Sequence, residues 1–289
     1  MFKYISIYIM IFLFFLTFFL QTSAYIRKLS DSELVHYKKF GYVLCKQLIN
    51  DSDLDFIVQE ANNSIYRNSG FQANFYKKIE FSTLINNSKL KNITTHLPAK
   101  QIMDYSSNAF TRFMGGKPRV LKDAFLIFAP GFPGCGYHVD DQWFWPTPIH
   151  HFGHEGINIW IALSQYRKSH GGGLALSKNS HKSKYFKKAR SLIRKTKNGF
   201  GRTCELSILD PHIYEHFNNQ TITFDMEPGD AIIHGRWIFH KSVQFSQKGI
   251  DSFTHPLMRY SIRYMPENSM SLEKKKKLKF FDDLYPVAL

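Results

Sequence analysis

The chain is organised around residues 134–146, which read Gly-Cys-Gly-Tyr-His-Val-Asp-Asp-Gln-Trp-Phe-Trp-Pro. His138 and Asp140 stand two residues apart, between a turn-forming segment and an aromatic run. In an extended strand, residues i and i+2 point to the same face, so the imidazole and the carboxylate can converge on one point. The pair supplies two donors of a 2-His-1-carboxylate triad, which holds Fe(II) and leaves coordination positions open. Because a His-x-Asp pair is also common in solvated turns, a third ligand is needed to distinguish a metal site from such a turn.

Short strands separated by Gly/Pro turns flank this stretch on both sides. The run Ile157–Leu163 is almost continuously apolar, which is typical of a strand inside a barrel. Other segments predicted as strands are Tyr42–Leu44, Val120–Phe128, Leu174–Leu176, Thr221–Phe224, Ala231–Phe239 and Met258–Met265. This pattern predicts a mainly β fold with flanking helices, built on a double-stranded β-helix (jelly-roll, cupin-like) core.

Helix signals concentrate before the first strands. Ser30 or Asp31 can cap a helix that runs through Lys39, and Gly41 can end it. A second helix is predicted from Asp51, a third near residues 99–114 and a basic surface helix within residues 184–200.

Composition and charge exclude several classes of protein. With 289 residues and 44% hydrophobic content, the chain can bury a large core, and general disorder is excluded. The net charge of +15 favours anionic partners, but the two basic runs, Lys187–Lys197 and Lys274–Lys279, have no interleaved aromatic residues. Nucleic-acid binding is therefore not expected. Cys45, Cys135 and Cys204 lack Cys-x-x-Cys spacing, which excludes a cysteine zinc site and a disulfide-dense scaffold.

Residues 1–24 have the pattern of a targeting segment. Lys3 precedes an uncharged apolar run, Tyr4–Leu20, and small residues up to Ala24 suit a signal peptidase. The run is long for a cleaved signal and short for a spanning helix, so a cleaved signal peptide and a single-pass membrane anchor remain equal alternatives. Either one predicts the secretory pathway or a membrane as the location. Residues 25–266 are then the folded domain, and residues 267–289 form a basic C-terminal tail.

Several motifs, taken in order, resemble the phytanoyl-CoA dioxygenase family of iron(II)- and 2-oxoglutarate-dependent oxygenases. The resemblance covers most of residues 29–266. Its motifs are Leu29–Val43, Gly136–Pro146, Asn158–Leu163, Gly172-Gly173-Leu174, Ser180-His181-Lys182, Pro228–Ala231, His240-Lys241-Ser242 and Arg259-Tyr260-Ser261.

The resemblance implies that His138, Asp140 and His240 hold the iron. His234 competes for the third place, because six residues along one strand would put it on the same face as His240. The His-x-Ser match favours His240 and leaves His234 as a buried, hydrogen-bonded imidazole. Arg259 would form a bidentate pair with the far carboxylate of 2-oxoglutarate.

Three further residues are assigned around the same cofactors. Ser242 could add a hydroxyl donor to the far carboxylate. Arg263 points inward by strand parity and is either an alternative anchor or a holder of an acidic substrate. Trp160 is either a wall of the cofactor pocket or a plain core aromatic.

The implied cofactors are Fe(2+), 2-oxoglutarate and O2, and the implied reaction couples decarboxylation of 2-oxoglutarate to succinate with hydroxylation of a substrate C–H bond. Asp140 stands where halogenating relatives have a small residue, so hydroxylation is favoured. The aromatic residues Trp143-Phe144-Trp145 favour an apolar or lipid-like small molecule, whereas Arg263 and the basic surface favour an anionic group. Alternatives are a non-catalytic jelly-roll binding protein, a membrane-tethered basic adaptor with a vestigial site, and a zinc hydrolase with the same three ligands.

Overall fold

A computed structural model describes residues 26–67, 78–80, 96–106, 118–131, 134–140, 156–194 and 206–266. The strands in these ranges are β1 (Tyr42–Cys45), β2 (Lys78–Glu80), β3 (Pro118–Phe128), β4 (Ile157–Ala162), β5 (Leu174–Ser177), β6 (Thr221–Thr223), β7 (Ala231–Gly235), β8 (His240–Ser242) and β9 (Leu257–Pro266). The helices are α1 (Asp31–Phe40), α2 (Asp51–Arg67), α3 (His96–Ser106), α4 (Phe186–Arg194), α5 (Leu206–Leu209), α6 (Pro211–Asn218) and α7 (Gln247–Asp251).

The strands form two antiparallel sheets. The larger sheet has the order β1-β7-β4-β9-β3-β2, and the smaller has the order β6-β5-β8. Neighbouring strands are mostly distant in sequence, because the chain repeatedly crosses from one sheet to the other. The predicted mainly β, jelly-roll fold with flanking helices is confirmed.

The apolar run of β4 is buried on both faces of the larger sheet. Ile157, Ile159 and Ile161 pack into a core cluster together with side chains of α1, α2 and α3. On the opposite, inner face, Trp160 and Ala162 pack against side chains of the smaller sheet. Because neither face of this strand is exposed to solvent, its sequence does not alternate between polar and apolar residues.

The first helix begins and ends where the sequence predicts. Ser30 and Glu33 form a reciprocal capping box, in which each side chain binds the backbone N–H of the other residue. Gly41 ends α1 with a φ of 80°, a left-handed conformation that a residue with a side chain adopts only at a cost.

The predicted strand Ala231–Phe239 is confirmed over its first five residues, which form β7 (Ala231–Gly235), and is wrong over residues 236–239. Strand β7 ends at Gly235, a turn closed by the hydrogen bond from Ile238 N to Gly235 O follows (3.1 Å), and β8 begins at His240 in the other sheet. This turn is not evident from the sequence, because its residues Trp237 and Phe239 are buried under α4 and α6. The apolar pattern therefore continues from β7 to β8. His234 and His240 therefore lie on different sheets, and strand parity does not relate them.

Several predictions concern residues outside the described ranges. These are the targeting segment 1–24, the tail 267–289 and the aromatic run Trp143–Trp145. All three stay predictions. Among the helices of the described ranges, none is both long and apolar enough to span a bilayer.

Candidate active site

Main-chain pairing holds His138 beside His240. The N–H of His138 donates to the carbonyl of His240 (3.0 Å), and the N–H of His240 donates to the carbonyl of His138 (2.9 Å). Two residues on, the N–H of Asp140 donates to the carbonyl of Arg236 (3.1 Å). The side chain between them, Val139, turns the opposite way and packs in the cluster beneath α4 and α6. The segment thus presents His138 and Asp140 together, as the i, i+2 spacing predicts.

His138, Asp140 and His240 form one compact donor set. One donor atom from each of the three side chains lies within 4.8 Å of the other two, and Asp140 and His240 are buried. The His240 Nε2 atom lies 3.7 Å from Asp140 Oδ1. Donors that share one ion at about 2.1 Å are roughly 3 Å apart, so small side-chain rotations close this set around a metal.

Hydrogen bonds at Nδ1 orient both imidazoles. His138 Nδ1 lies 2.8 Å from the carbonyl of Gly136, and His240 Nδ1 lies 2.9 Å from the carbonyl of Ile238. A carbonyl only accepts, so Nδ1 carries the proton in each ring and Nε2 keeps its lone pair. An imidazole fixed in this way is ready to bind a metal through Nε2.

The electrostatics favour a neutral His240 imidazole beside an ionised Asp140 carboxylate. Burial alone would raise the pKa of Asp140, but the Arg263 guanidinium and the neighbouring histidines outweigh it and hold that pKa well below its usual range. Burial is the main cause that lowers the pKa of His240 well below its ordinary value. Both protonation states are the ones that a divalent metal requires.

His234 lies next to this set but is not one of its members. Its ring centroid is 4.6 Å from that of His240, and its Nδ1 lies 3.1 Å from the carbonyl of Gly235. The ring is fully buried, and burial is the main cause that lowers its pKa. The side chain is thus a buried, hydrogen-bonded imidazole on the larger sheet.

The inner face of the larger sheet presents its residues in rows across the strands. One row contains His234, Asn158 and Arg263, from β7, β4 and β9. In the next row Trp160 faces Ser261, and in the third Ala162 faces Arg259. Arg259 is four residues from Arg263 on one face, which is about 13 Å along the strand. The two arginines therefore lie well apart along the inner face of β9.

The two arginines differ in their partners. Arg263 Nε donates to Asp140 Oδ2 at 3.3 Å, so this side chain binds the candidate metal ligand. The guanidinium carbon of Arg259 lies 5.4 Å from the centre of the Trp160 ring. Arg259 Nε and Nη1 and Trp160 Nε1 are buried donors without a hydrogen-bond partner among the described residues. Three such donors at one place favour an anionic ligand there.

A family model for phytanoyl-CoA dioxygenase matches residues 30–248, about three quarters of the sequence. The chain belongs to the phytanoyl-CoA dioxygenase family. The matched range includes His138, Asp140 and His240 and ends before Arg259 and Arg263. Curated proteins searched by sequence give no match.

Solved structures resemble this phytanoyl-CoA dioxygenase family member in fold at low sequence identity. SnoN, an α-ketoglutarate-dependent epimerase of nogalamycin biosynthesis, is 15% identical with a TM-score of 0.56, and the match covers 82% of each chain. EvdO2 from Micromonospora carbonacea var. aurantiaca is 13% identical with a TM-score of 0.55, over 84% of this chain and 93% of that one. EctD from S. alaskensis, solved with 2-oxoglutarate and 5-hydroxyectoine, is 13% identical with a TM-score of 0.56, over 86% and 81%.

Sequence reasoning missed two residues of this family member's site. Asn158 Nδ2 donates to Asp140 Oδ2 at 2.7 Å, and Ser261 Oγ donates to Asn158 Oδ1 at 2.8 Å. The sequence does contain a signal for Asn158, because it is the one polar residue in the apolar run of β4, which is buried on both faces. Ser261 gives no such signal, since its role depends on cross-strand register.

Proposed function

We propose that this chain is an iron(II)- and 2-oxoglutarate-dependent dioxygenase that hydroxylates a small organic substrate. The observation that carries the proposal is the buried donor set of His138, Asp140 and His240 in a phytanoyl-CoA dioxygenase family member. Iron bound with 2-oxoglutarate would supply oxygen activation coupled to decarboxylation of 2-oxoglutarate to succinate. The protein residues bind, orient and shield these groups.

The chemistry of the donor set fits Fe(II). Two neutral imidazoles and one carboxylate leave a six-coordinate ion with three open positions. Asp140 Oδ1 is buried and has no hydrogen-bond partner within the described part of the chain, although it lies 3.7 Å from His240 Nε2. A buried carboxylate oxygen without a donor is costly, and a bound cation would remove that cost.

Arg259 is the proposed anchor for the far carboxylate of 2-oxoglutarate. Its Nε and Nη1 groups are buried donors without a described partner, and a guanidinium presents two parallel N–H groups to a planar carboxylate. Trp160 Nε1 beside it supports the assignment of Trp160 to the pocket wall. Arg263 is less suited to this role, because its Nε is bonded to Asp140.

Ser242 is a proposed additional donor to the same anion. It lies on β8 two residues after His240, so both side chains point to one face of the strand. Its Oγ already accepts a hydrogen bond from the N–H of Cys135 at 3.2 Å. The hydroxyl proton is then directed away from Cys135 and is available to an acceptor in the site.

Hydroxylation is the proposed outcome because a carboxylate stands at position 140. In halogenating relatives a small residue at this position leaves a coordination position open for a halide, and Asp140 would occupy that position here. The proposed substrate is a small organic molecule, and the run Trp143-Phe144-Trp145 remains a sequence-based argument for an apolar or lipid-like one. If lipid binding persists unchanged in Trp143→Ala, the lipid-like substrate is refuted.

The test is an anaerobic titration of the purified full-length protein with Fe(II) and then 2-oxoglutarate. We expect the weak visible charge-transfer band of the chelate in the wild type and its loss in His138→Ala and His240→Ala. His255→Ala, a histidine substitution at an exposed position, should retain the band. His234→Gln should also retain it if His240 is the third ligand. A folded wild-type protein without the band would refute the proposed function.

A further inference from the structure

The two oxygens of Asp140 lie in different environments. Oδ2 accepts hydrogen bonds from Asn158 Nδ2 at 2.7 Å and from Arg263 Nε at 3.3 Å. Oδ1 accepts none from any described residue and lies on the side of His240 Nε2, at 3.7 Å. The larger sheet therefore binds one oxygen of the carboxylate, and the other faces the imidazoles.

The two donors are themselves fixed in place by the sheet. Asn158 and Arg263 face each other across β4 and β9, in the row that also contains His234. The hydroxyl of Ser261 donates to Asn158 Oδ1 at 2.8 Å, and this bond decides which way the amide points. With its oxygen turned to Ser261, the amide must direct its NH2 group at Asp140.

The difference between the two oxygens matters for coordination. A carboxylate with two free oxygens can bind a metal through both and thereby occupy an additional position. An oxygen that already accepts two hydrogen bonds, one of them from a permanent cation, is a poorer metal donor than its neighbour. Binding through Oδ1 alone keeps three positions open on a six-coordinate ion, and the proposed reaction needs those positions.

Charge supports the same arrangement. Asp140 is 1% exposed, so its negative charge needs a compensating group even when no metal is bound. Arg263 is 7% exposed and has its Nε directed at that carboxylate, so it provides the compensation. The carboxylate is thereby held in place before any cation arrives.

We propose that Arg263 and Asn158 are positioning residues, which bind Oδ2 of Asp140 so that Oδ1 alone is presented to the metal, with Ser261 orienting the Asn158 amide. This assignment rests on the proposed function, because it takes Asp140 as a ligand. It gives Arg263 a role at the metal in place of the two roles inferred from the sequence, an alternative anchor or a holder of an acidic substrate. Outer partners of this kind typically change metal affinity 10–100-fold when they are removed.

The test uses cobalt(II), whose visible absorption reports coordination number, and titrates it into the metal-free full-length protein without 2-oxoglutarate. We expect Arg263→Met and Asn158→Leu to weaken cobalt binding at least about tenfold and to shift the spectrum towards higher coordination. Ser261→Ala should shift both readouts in the same direction by a smaller amount. Arg167→Met removes an arginine that is paired with Glu227 on the surface and should change neither readout.

The possible results separate the two ideas. Wild-type affinity and spectrum in folded Arg263→Met and Asn158→Leu would overturn the positioning role and leave the proposed function intact. If those variants do not fold, Arg263→Lys decides, because it keeps the charge and loses the Nε donor. Weakened binding with a shifted spectrum in Arg263→Lys supports the role, and unchanged binding overturns it. Failure of the wild type to bind cobalt at all would instead refute the proposed metal site.

Discussion

Arg259→Lys should weaken the binding of 2-oxoglutarate without changing the binding of the metal alone. The substitution keeps the positive charge but replaces a planar guanidinium, with two buried donors free for a ligand, by one flexible ammonium group. A hydrogen bond to a charged group contributes about 1.5–3 kcal/mol, so the loss of one bond predicts a roughly ten- to hundredfold higher Kd.

The assay follows the charge-transfer band of the iron protein as 2-oxoglutarate is added under anaerobic conditions. Iron is titrated separately without 2-oxoglutarate, so that a damaged metal site is not mistaken for a damaged anion site. Arg167→Lys, at a partly exposed position paired with Glu227, is the matched control and should bind as the wild type does. If Arg259→Lys binds 2-oxoglutarate within about threefold of the wild type, the assignment of the anchor is refuted.

Two predictions concern stability rather than cofactor binding. Gly41 has a left-handed conformation (φ 80°), and in Gly41→Ala the added Cβ would lie only 2.5 Å from Ile238 Cδ1. Conformational strain and overpacking together should lower the free energy of unfolding, measured in urea, by about 2–4 kcal/mol. Gly131→Ala is the control, because φ is also positive there (88°) but an added Cβ would have no atom of the described residues within 4 Å. An equal loss of stability in both variants would show that the contact with Ile238 does not contribute. Burial, with Lys182 nearby, lowers the pKa of His181 to about 4, so the unfolded chain takes up its proton first as pH falls. The stabilising contribution of His181 should be complete above pH 6.5, and the free energy of unfolding should fall by at most about 3 kcal/mol towards pH 4. Urea denaturation of His181→Gln over this pH range should show a smaller fall than the wild type. An equal fall in the two proteins would refute the role of His181.

Local patterns were sufficient to predict most of the fold. The unbroken apolar run of β4 predicts a strand with both faces buried, and Ser30, Glu33 and Gly41 set the limits of α1. Helix α6 was missed although its signals were present, since Asp210 caps it and Pro211 stands at its first turn. The sequence alone therefore contains the signals that start this helix.

The site was less accessible from the sequence, because its contacts join strands that are far apart in the chain. The i, i+2 spacing identifies His138 and Asp140 as a pair, but the register that brings Asn158 beside Arg263 is set by how β4 and β9 pair. Ser261 and Asn158 are 103 residues apart in sequence, and no local pattern relates them. The same limit explains the wrong strand assignment over residues 236–239, where a buried turn carries apolar side chains that look like a continuing strand.

The reciprocal peptide hydrogen bonds between His138 and His240 have a consequence for how such a site can change over time. The spacing of the two imidazoles is set by main-chain groups, which are the same whatever side chain stands at either position. A substitution at 138 or 240 would delete a donor atom and leave the peptide frame paired. Chemistry and folding are therefore separable at this point, and a descendant could lose oxygenase activity, or acquire ligands for another metal, while it inherits the jelly roll intact.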